Sequence, residues 1–424
     1  MIKKIFIFSL FCLILIFWSS IHFVQASQQT ETELYNTALK LGEEGDYALA
    51  SKTMNDLVSI SPNNDFYLAY ASHYERLAGD FENGLKHALK AIELNNSVPW
   101  YYASVAFNAY SNTDIEIARE YCQKVIEFGT DKVGQDNFES AKKIISDLAK
   151  RVYKITWTLN PSKGVKKQGM YFIPLPTQNL PYQDTNYEIT GCNNKKIVTQ
   201  TENNVLYFIP TNNKLITLKA EVTINPYSYK KQLTQYEEKT DSSKEIEIYL
   251  KPSDRINPNS PVINTLAVSL KKENKIKTIK NILLWMKNNI KYKIEDFQNA
   301  DDIIKRGYGE CGGWSALFTA LCRASGIPAR EVWGVIEDPT PERKFAPSGH
   351  LKGHAWAEFY LYGQGWIPVE PQSPATLGLL PCTYIRLYHY DPYTHISGDE
   401  NLRPSINMVL MGGDIPEYDI NIVH

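Results

Sequence analysis

The sequence predicts a multidomain α+β protein: α-helical repeats, a β-sandwich-like middle domain and a C-terminal α+β unit. Three observations carry this. A turn triplet recurs every 34 residues near the N-terminus. Apolar residues pass from helical spacing to alternation after Arg151. A glycine-flanked cysteine opens a helix beyond residue 300, with two alternating segments after it. The 424 residues allow two or three domains, at roughly 150 residues each. Hydrophobic residues make up 43%, and 45 basic groups face 47 acidic ones, a net charge of -2. This composition permits buried cores and excludes global disorder, collagen, a disulfide-dense mini-protein and a polytopic membrane protein. It offers no electrostatic footprint for nucleic acid.

Met1 to Lys4 carry two lysines, Ile5 to Trp18 run without charge, and a more polar stretch ends in Val24-Gln25-Ala26. Residues 1–26 therefore read as a secretory signal peptide cut after Ala26, which would make the protein periplasmic or secreted. The alternative is an uncleaved membrane anchor, for which the apolar run is short. Cleavage leaves Cys122, Cys192, Cys311, Cys322 and Cys382. An odd number of cysteines in an exported chain points to a free reactive thiol.

Segment 27–150 is the repeat region. Gly45-Asp46-Tyr47, Gly79-Asp80-Phe81 and Thr113-Asp114-Ile115 are spaced by 34, with small residues Ala50, Gly84 and Ala118 at matching offsets. Leu34, Ala38 and Leu41, and again Leu85, Ala88 and Ile92, keep helical spacing. The pattern resembles the tetratricopeptide repeat, three copies over about 31–132, although Leu34, Leu68 and Tyr102 stand where that family carries its signature tryptophan. A further amphipathic segment, Asn137 to Arg151, suits a capping helix. The resemblance implies a concave groove that docks a protein or peptide partner, or else a spacer; Tyr101, Tyr102 and Tyr110 are candidates for the groove or for the core.

Segment 151–258 reads as strands. Tyr153, Ile155, Trp157 and Leu159 alternate with polar residues. Strand-like runs recur at Gly169–Leu175, Val205–Ile209, Leu215–Ile224 and Glu245–Leu250, with turns at Asn160-Pro161, Asn193-Asn194, Asn203-Asn204 and Asn212-Asn213. Prolines 252, 258 and 261 make 251–261 the best linker.

Segment 259–424 carries the chemistry. Ile276, Ile279, Leu283, Met286 and Ile290 mark one helix face. In Arg306-Gly307-Tyr308-Gly309-Glu310-Cys311-Gly312-Gly313-Trp314 the cysteine stands at a helix start, and Gly326 and Pro328 mark the stop. A helix N-terminus favours a thiolate, and flanking glycines allow close approach of a substrate backbone. The glycines match G-x-G-x-x-G, but no strand–helix–strand unit surrounds them, so a dinucleotide site is discounted. His354, Trp356, Glu358 and Tyr360 share a strand face, and a Gly363-Gln364-Gly365 turn leads to a second strand ending in Glu370. In such a hairpin Glu370 approaches His354 and orients the imidazole, with Glu358 and Asp391 as alternatives. His350 with His354 and Cys311 forms no recognised metal motif. His389, His395 and His424 read as surface or core residues.

Glu310-Cys311-Gly312-Gly313-Trp314-Ser315, Gly326-Ile327-Pro328-Ala329-Arg330, His354-Ala355-Trp356 and Trp366-Ile367-Pro368-Val369-Glu370-Pro371 follow one another in a set order. Together they resemble the transglutaminase-like core, over roughly 262–375. The resemblance implies a papain-like α+β catalytic fold and a Cys-His-Asp triad, with Cys311 as nucleophile, His354 as base and Glu370 in the place usually held by Asp. It also implies thioester acyl chemistry on peptide or side-chain amides. No calcium cluster is apparent in the sequence, so neither metal nor cofactor is expected. A protease-like amidohydrolase, a cross-linking transglutaminase and a silent binding adaptor remain open. If the signal is cleaved, N-terminal sequencing of the exported protein will start at Ser27.

Overall fold

A computed structural model describes residues 30–159, 171–200, 203–210, 216–238, 243–253, 255–294, 299–337, 351–373, 377–390 and 417–423. The expected signal segment lies outside them. Among the described residues no helix is long and apolar enough to cross a membrane. The chain divides into two compact units, Met1–Asn112 with Glu120–Ala141, and Thr113–Arg119 with Lys142–His424.

The 34-residue period becomes helix hairpins. A helix over 30–43 (α1) is followed by α2 (Tyr47–Ile60), α3 (Asp65–Ala78), α4 (Phe81–Leu94), α5 (Pro99–Ser111) and α6 (Ile115–Phe128). The recurrent turn works through two positions. The first takes the left-handed backbone, Gly45 at φ 82° and Gly79 at φ 86°. In the third copy Thr113 holds it at φ 57°, a strain of roughly 1–3 kcal/mol for a non-glycine. The aspartate caps the next helix: Asp46 accepts from Leu49 N–H and Asp80 from Asn83 N–H. Small residues then let the first helices close up, with Ala38, Ala50 and Ala71 buried around Met54 and Leu57. At Gly84 a Cβ would lie 2.2 Å from Asn108 Oδ1. Tyr101 is core, its hydroxyl donating to Asp65 Oδ2 at 2.9 Å. A short α7 (Thr130–Val133) precedes α8 (Gln135–Asp147), the expected additional helix.

The second unit contains β1 (Arg151–Leu159), β2 (Tyr171–Leu175), β3 (Gln183–Thr190), β4 (Cys192–Gln200), β5 (Asn203–Pro210) and β6 (Ile216–Ile224). They form two antiparallel sheets, one ordered β2-β5-β4. The other is β13-β1-β6-β3, in which β13 (Glu417–Val423) arrives from the far end of the chain to pair with β1. Strands β3, β4 and β13 were not anticipated: β3 and β4 are mostly polar, and β13, although Tyr418, Ile420 and Ile422 alternate with polar residues, lies far along the chain from the strand it pairs with. Asn193-Asn194 lies inside β4 beside a bulge, and Asn203-Asn204 begins β5 instead of forming a turn. Asn203 is held there by two bonds to the His389 backbone, at 2.9 and 3.0 Å. The Asn160-Pro161 and Asn212-Asn213 turns lie outside the described residues.

Two further expectations are corrected. Glu245–Leu250 is helical, α10 (Lys244–Glu247) running into a 3-10 turn at Ile248–Leu250, after a short α9 (Lys230–Thr234). The compact turn delivers Tyr249 into the interior, edge-on to Trp366 and within 3.2 Å of His389 Nε2. This tertiary anchoring overrides a local period-two pattern. Segment 251–261 is a strap and not a spacer. Lys251 O accepts from Arg323 at 2.6 Å, Arg255 O accepts from Ala300 N–H at 3.0 Å, and Ile256 is buried.

The remaining elements are α11 (Pro261–Leu270), α12 (Lys275–Asn289), β7 (Lys291–Tyr292), α13 (Ala300–Arg306), β8 (Tyr308–Gly309), α14 (Cys311–Ala324), β9 (Ala329–Glu337), β10 (Leu351–Leu361), β11 (Gly365–Val369) and β12 (Tyr384–Tyr390). β7 and β8 pair in parallel, and the central sheet runs β11-β10-β9-β12, antiparallel throughout. Leu317, Phe318, Leu321 and Cys322 of α14 share a core with Ile279, Ile282 and Met286 of α12 and Val332, Trp356 and Phe359 of the sheet. A second core joins Val335, Ile385, Leu387 and Tyr388 of the central sheet to Tyr153, Ile155, Leu218 and Val222 of the β1–β6 sheet. The central sheet is therefore buried on both faces.

A sheet buried twice must pair its own polar residues. Glu358 accepts from Arg330 Nε at 2.7 Å and Arg386 Nε at 3.1 Å. Arg386 also reaches Thr177 Oγ1 at 2.6 Å and His389 Nδ1 at 2.8 Å, while Arg330 lies 3.8 Å from the Trp366 ring centre. Burial opposes the charge on Glu358, but the two guanidinium groups win and hold its carboxyl below the usual range. Burial, reinforced by the same two arginines, pushes His389 well below an ordinary histidine and keeps it neutral. Glu358→Gln, which strands two buried guanidinium groups, should cost about 3–5 kcal/mol in urea unfolding at neutral pH. Glu221→Gln, which removes an exposed pair with Lys154, should cost under about 1 kcal/mol. Because the folded carboxyl is depressed, the Glu358 contribution is present above the ordinary glutamate range and fades as pH falls through the folded value.

Candidate active site

Cys311 is the first residue of α14 and Glu310 is its N-cap, with extended backbone. Trp314 N–H closes the first helical bond onto Glu310 O at 3.0 Å. The N–H groups of Cys311, Gly312 and Gly313 precede it and have no acceptor within the helix. They leave a patch of partial positive charge at the thiol. Cys311 is only 8% exposed, and its Sγ lies 3.6 Å from Glu310 Oε2.

The local glycines have structural causes. Gly307, at φ 72°, ends α13 in the left-handed conformation. A Cβ on Gly312 would lie 2.7 Å from Glu310 Oε1 and 3.1 Å from Arg255 Nη2. Its bareness therefore makes room for neighbouring side chains, where open space for a substrate backbone was expected. Beneath the first turn, Arg255 Nη1 stands 3.5 Å from Glu331 Oε1, and Ser315 Oγ lies 3.1 Å from that same carboxylate oxygen. Burial pushes the Glu331 carboxyl up, against the pull of Arg255 and the Ser315 hydroxyl.

The far end of α14 explains Gly326-Ile327-Pro328-Ala329-Arg330. Gly326, at φ 77°, reverses the chain, and Ile327 N–H returns to Cys322 O at 2.9 Å. Ile327 and Ala329 enter the core, Pro328 O accepts from Tyr360 N–H, and Arg330 meets Glu358. The motif thus aligns the helix that carries Cys311 with the strand that carries His354.

His354 lies on β10 opposite Gly334 of β9. A Cβ at Gly334 would stand 2.1 Å from Ile385 O and 2.5 Å from the Trp356 ring, so only glycine fits. The β10–β11 hairpin pairs Ala357 with Val369, which brings the next residue, Glu370, level with Trp356. From there its longer side chain reaches His354, with Nε2 to Oε2 at 2.6 Å. Cys311 also acts on the imidazole, after Glu370, and favours its charged form. With Nε2 taken by Glu370, Nδ1 is the remaining ring nitrogen. Burial opposes a charge on His354, but Glu370 and Cys311 outweigh it and raise the imidazole to about 10.

Of the three expected site residues, His354 and Glu370 are joined directly, and Cys311 stands at the start of α14. Glu358 is committed to two arginines on the same strand face. Asp391, His350, His395 and His424 lie outside the described residues, and His389 is a core residue. Cys322 and Cys382 are buried free thiols that burial pushes up, Cys382 to about 11. One participant was missed. The Tyr384 hydroxyl donates to Glu370 Oε2 at 3.0 Å, and its ring stands edge-on to His354 with centroids 5.4 Å apart. Its only signal in the sequence was membership of a tyrosine-rich stretch.

Residues 264–371 match the sequence model of the transglutaminase-like superfamily, and the chain carries a transglutaminase-like core there. An uncharacterised protein of Haemophilus influenzae is 34% identical over 84 residues, 17% of this chain and 23% of that one. The match thus spans about a quarter of that relative. Among solved structures, one from Cytophaga hutchinsonii described as a "putative cysteine protease" is similar, with TM-score 0.41 and 18% identity, over 65% of this chain and 89% of that one. The periplasmic domain of TgpA from Pseudomonas aeruginosa gives TM-score 0.31 and 15% identity, over 53% and 90%. The tetratricopeptide domain of Sgt2 from Aspergillus fumigatus gives 0.25 and 18%, over 28% and 80%.

A raised imidazole stabilises the fold fully below the unfolded histidine value, near ~6.5, and that contribution is lost as pH rises through the folded value. The stability difference between wild type and Glu370→Gln, from urea unfolding, should therefore be largest near pH 6 to 7 and shrink by pH 10.

Proposed function

We propose that the protein is an exported cysteine amidohydrolase that cleaves peptide or side-chain amide bonds through Cys311, His354 and Glu370. The observation that supports this most directly is the His354 imidazole bound to the Glu370 carboxylate, with Cys311 at the helix start acting on the same ring.

The chemistry follows from those contacts. His354 takes the Cys311 proton at Nδ1, and Glu370 stabilises the imidazolium through Nε2. The thiolate attacks the amide carbon. The N–H groups at the start of α14 are the natural donors for the oxyanion. His354 then passes its proton to the departing amine or ammonia, and the C–N bond breaks to leave a thioester on Cys311. Water, deprotonated by His354, attacks the thioester and releases a carboxylic acid and the free thiol. Glu replaces Asp without loss of the contact, because the carboxylate comes from the residue just past β11 and the extra methylene spans the gap to His354. The helical repeats serve to recruit the protein or peptide substrate, and residues 1–26 direct export.

Substrate profiling of the purified mature protein, reading new N-termini and released ammonia, tests this. Cys311→Ala should abolish turnover, and His354→Ala should lower it about 10²–10⁴-fold. Normal activity in Cys311→Ala would sink the mechanism. Incorporation of an added amine at glutamine, without net hydrolysis, would reassign the protein as a cross-linker.

A further inference from the structure

We propose that Tyr384 is the positioning residue that makes a glutamate competent in the third place of the site. This rests on the mechanism above.

The problem is geometric. A glutamate carries one more rotatable bond than an aspartate, so its carboxylate has more ways to miss the imidazole and more rotamer freedom to lose. Here each oxygen is tied. Oε1 accepts from Gln372 N–H at 3.1 Å, in the turn just past β11. That bond alone would still let the carboxylate swing about Oε1. The Tyr384 hydroxyl closes this freedom by donating to Oε2, the oxygen that faces His354. Oε2 has two lone-pair directions, one for the phenol and one for the imidazole.

The phenol is itself held. Tyr384 opens β12, where it pairs with Ile336 of β9, and its N–H returns to Pro381 O at 3.1 Å. Its ring meets His354 at 86° and Trp356 at 69°, both with centroids 5.4 Å apart. One side chain thus fixes the carboxylate by a hydrogen bond and walls the imidazole on one side. The bond comes from a strand at the opposite edge of the sheet from β11, so it also couples the spacing of β12 to the site.

The test is the pH dependence of Cys311 alkylation by iodoacetamide in the purified mature protein, with the labelled cysteine mapped by mass spectrometry. Tyr384→Phe keeps the ring and removes only the hydroxyl. It should slow Cys311 labelling near pH 7 about tenfold, the effect of one hydrogen bond to a charged group. It should also move the alkaline limb of the profile to lower pH. In a Glu370→Asp background, whose carboxylate cannot reach the same place, the same change should alter labelling less than about twofold. Urea midpoints of all four proteins separate folding from positioning. Wild-type rates and profile in Tyr384→Phe, or an equal loss in both backgrounds, would overturn the role of Tyr384. A Cys311 that labels no faster in wild type than in His354→Ala would overturn the mechanism itself, and this proposal with it.

Discussion

The central sheet buried on both faces is the constraint on which the second unit depends. One face takes α14, the other the β1–β6 sheet, so polar groups between them must find partners in the protein. A helix laid on such a sheet is held in register along its whole length. Cys311 at its first residue is therefore aimed by Leu317, Phe318 and Leu321 further along, and by Gly326 and Ile327 at its end. His354 is aimed by the neighbouring strands, since any Cβ at Gly334 would collide with the strand beyond. Packing, more than local chain preference, thus positions the thiol and the imidazole.

The same burial decides what the charged residues do. Glu358 and Glu370 are both glutamates in adjacent strand segments, yet their fates differ. Glu358 points into the interior, where only the guanidinium groups of Arg330 and Arg386 keep it ionised. Glu370 lies just past a strand end, within reach of the imidazole, the Tyr384 hydroxyl and a backbone N–H. The first arrangement joins the central sheet to the loop at Thr177 and the turn at Tyr249, and the second shapes the site. Paired buried ions add little net stability, but removing one partner strands the others. This ties the integrity of the site to a network that touches none of its reacting atoms.

The repeat region obeys a simpler logic. Each hairpin needs a reversed turn, a cap and a small residue at the crossing, and these recur every 34 residues. Such one-dimensional packing depends on near neighbours only. That is why its turns and helices could be read from spacing without the family's signature tryptophan.

The sequence by itself determined the helical repeats, the helix start at Cys311, the strand bearing His354 and the hairpin that delivers Glu370. Each of these is encoded by local signals: capping residues, glycines at left-handed positions, alternation and turn length. It was misleading at Glu245–Leu250 and at 251–261, where Tyr249, Arg255 and Ile256 are claimed by distant partners. It was silent on β13, whose pairing with β1 joins residues far apart in the chain. It favoured Glu370 as the partner of His354 but left Glu358 and Asp391 as alternatives, and it did not single out Tyr384. Those choices belong to the tertiary structure, because which carboxylate meets an arginine, an imidazole or a phenol depends on strand order and burial, and neither is written in the spacing of nearby residues.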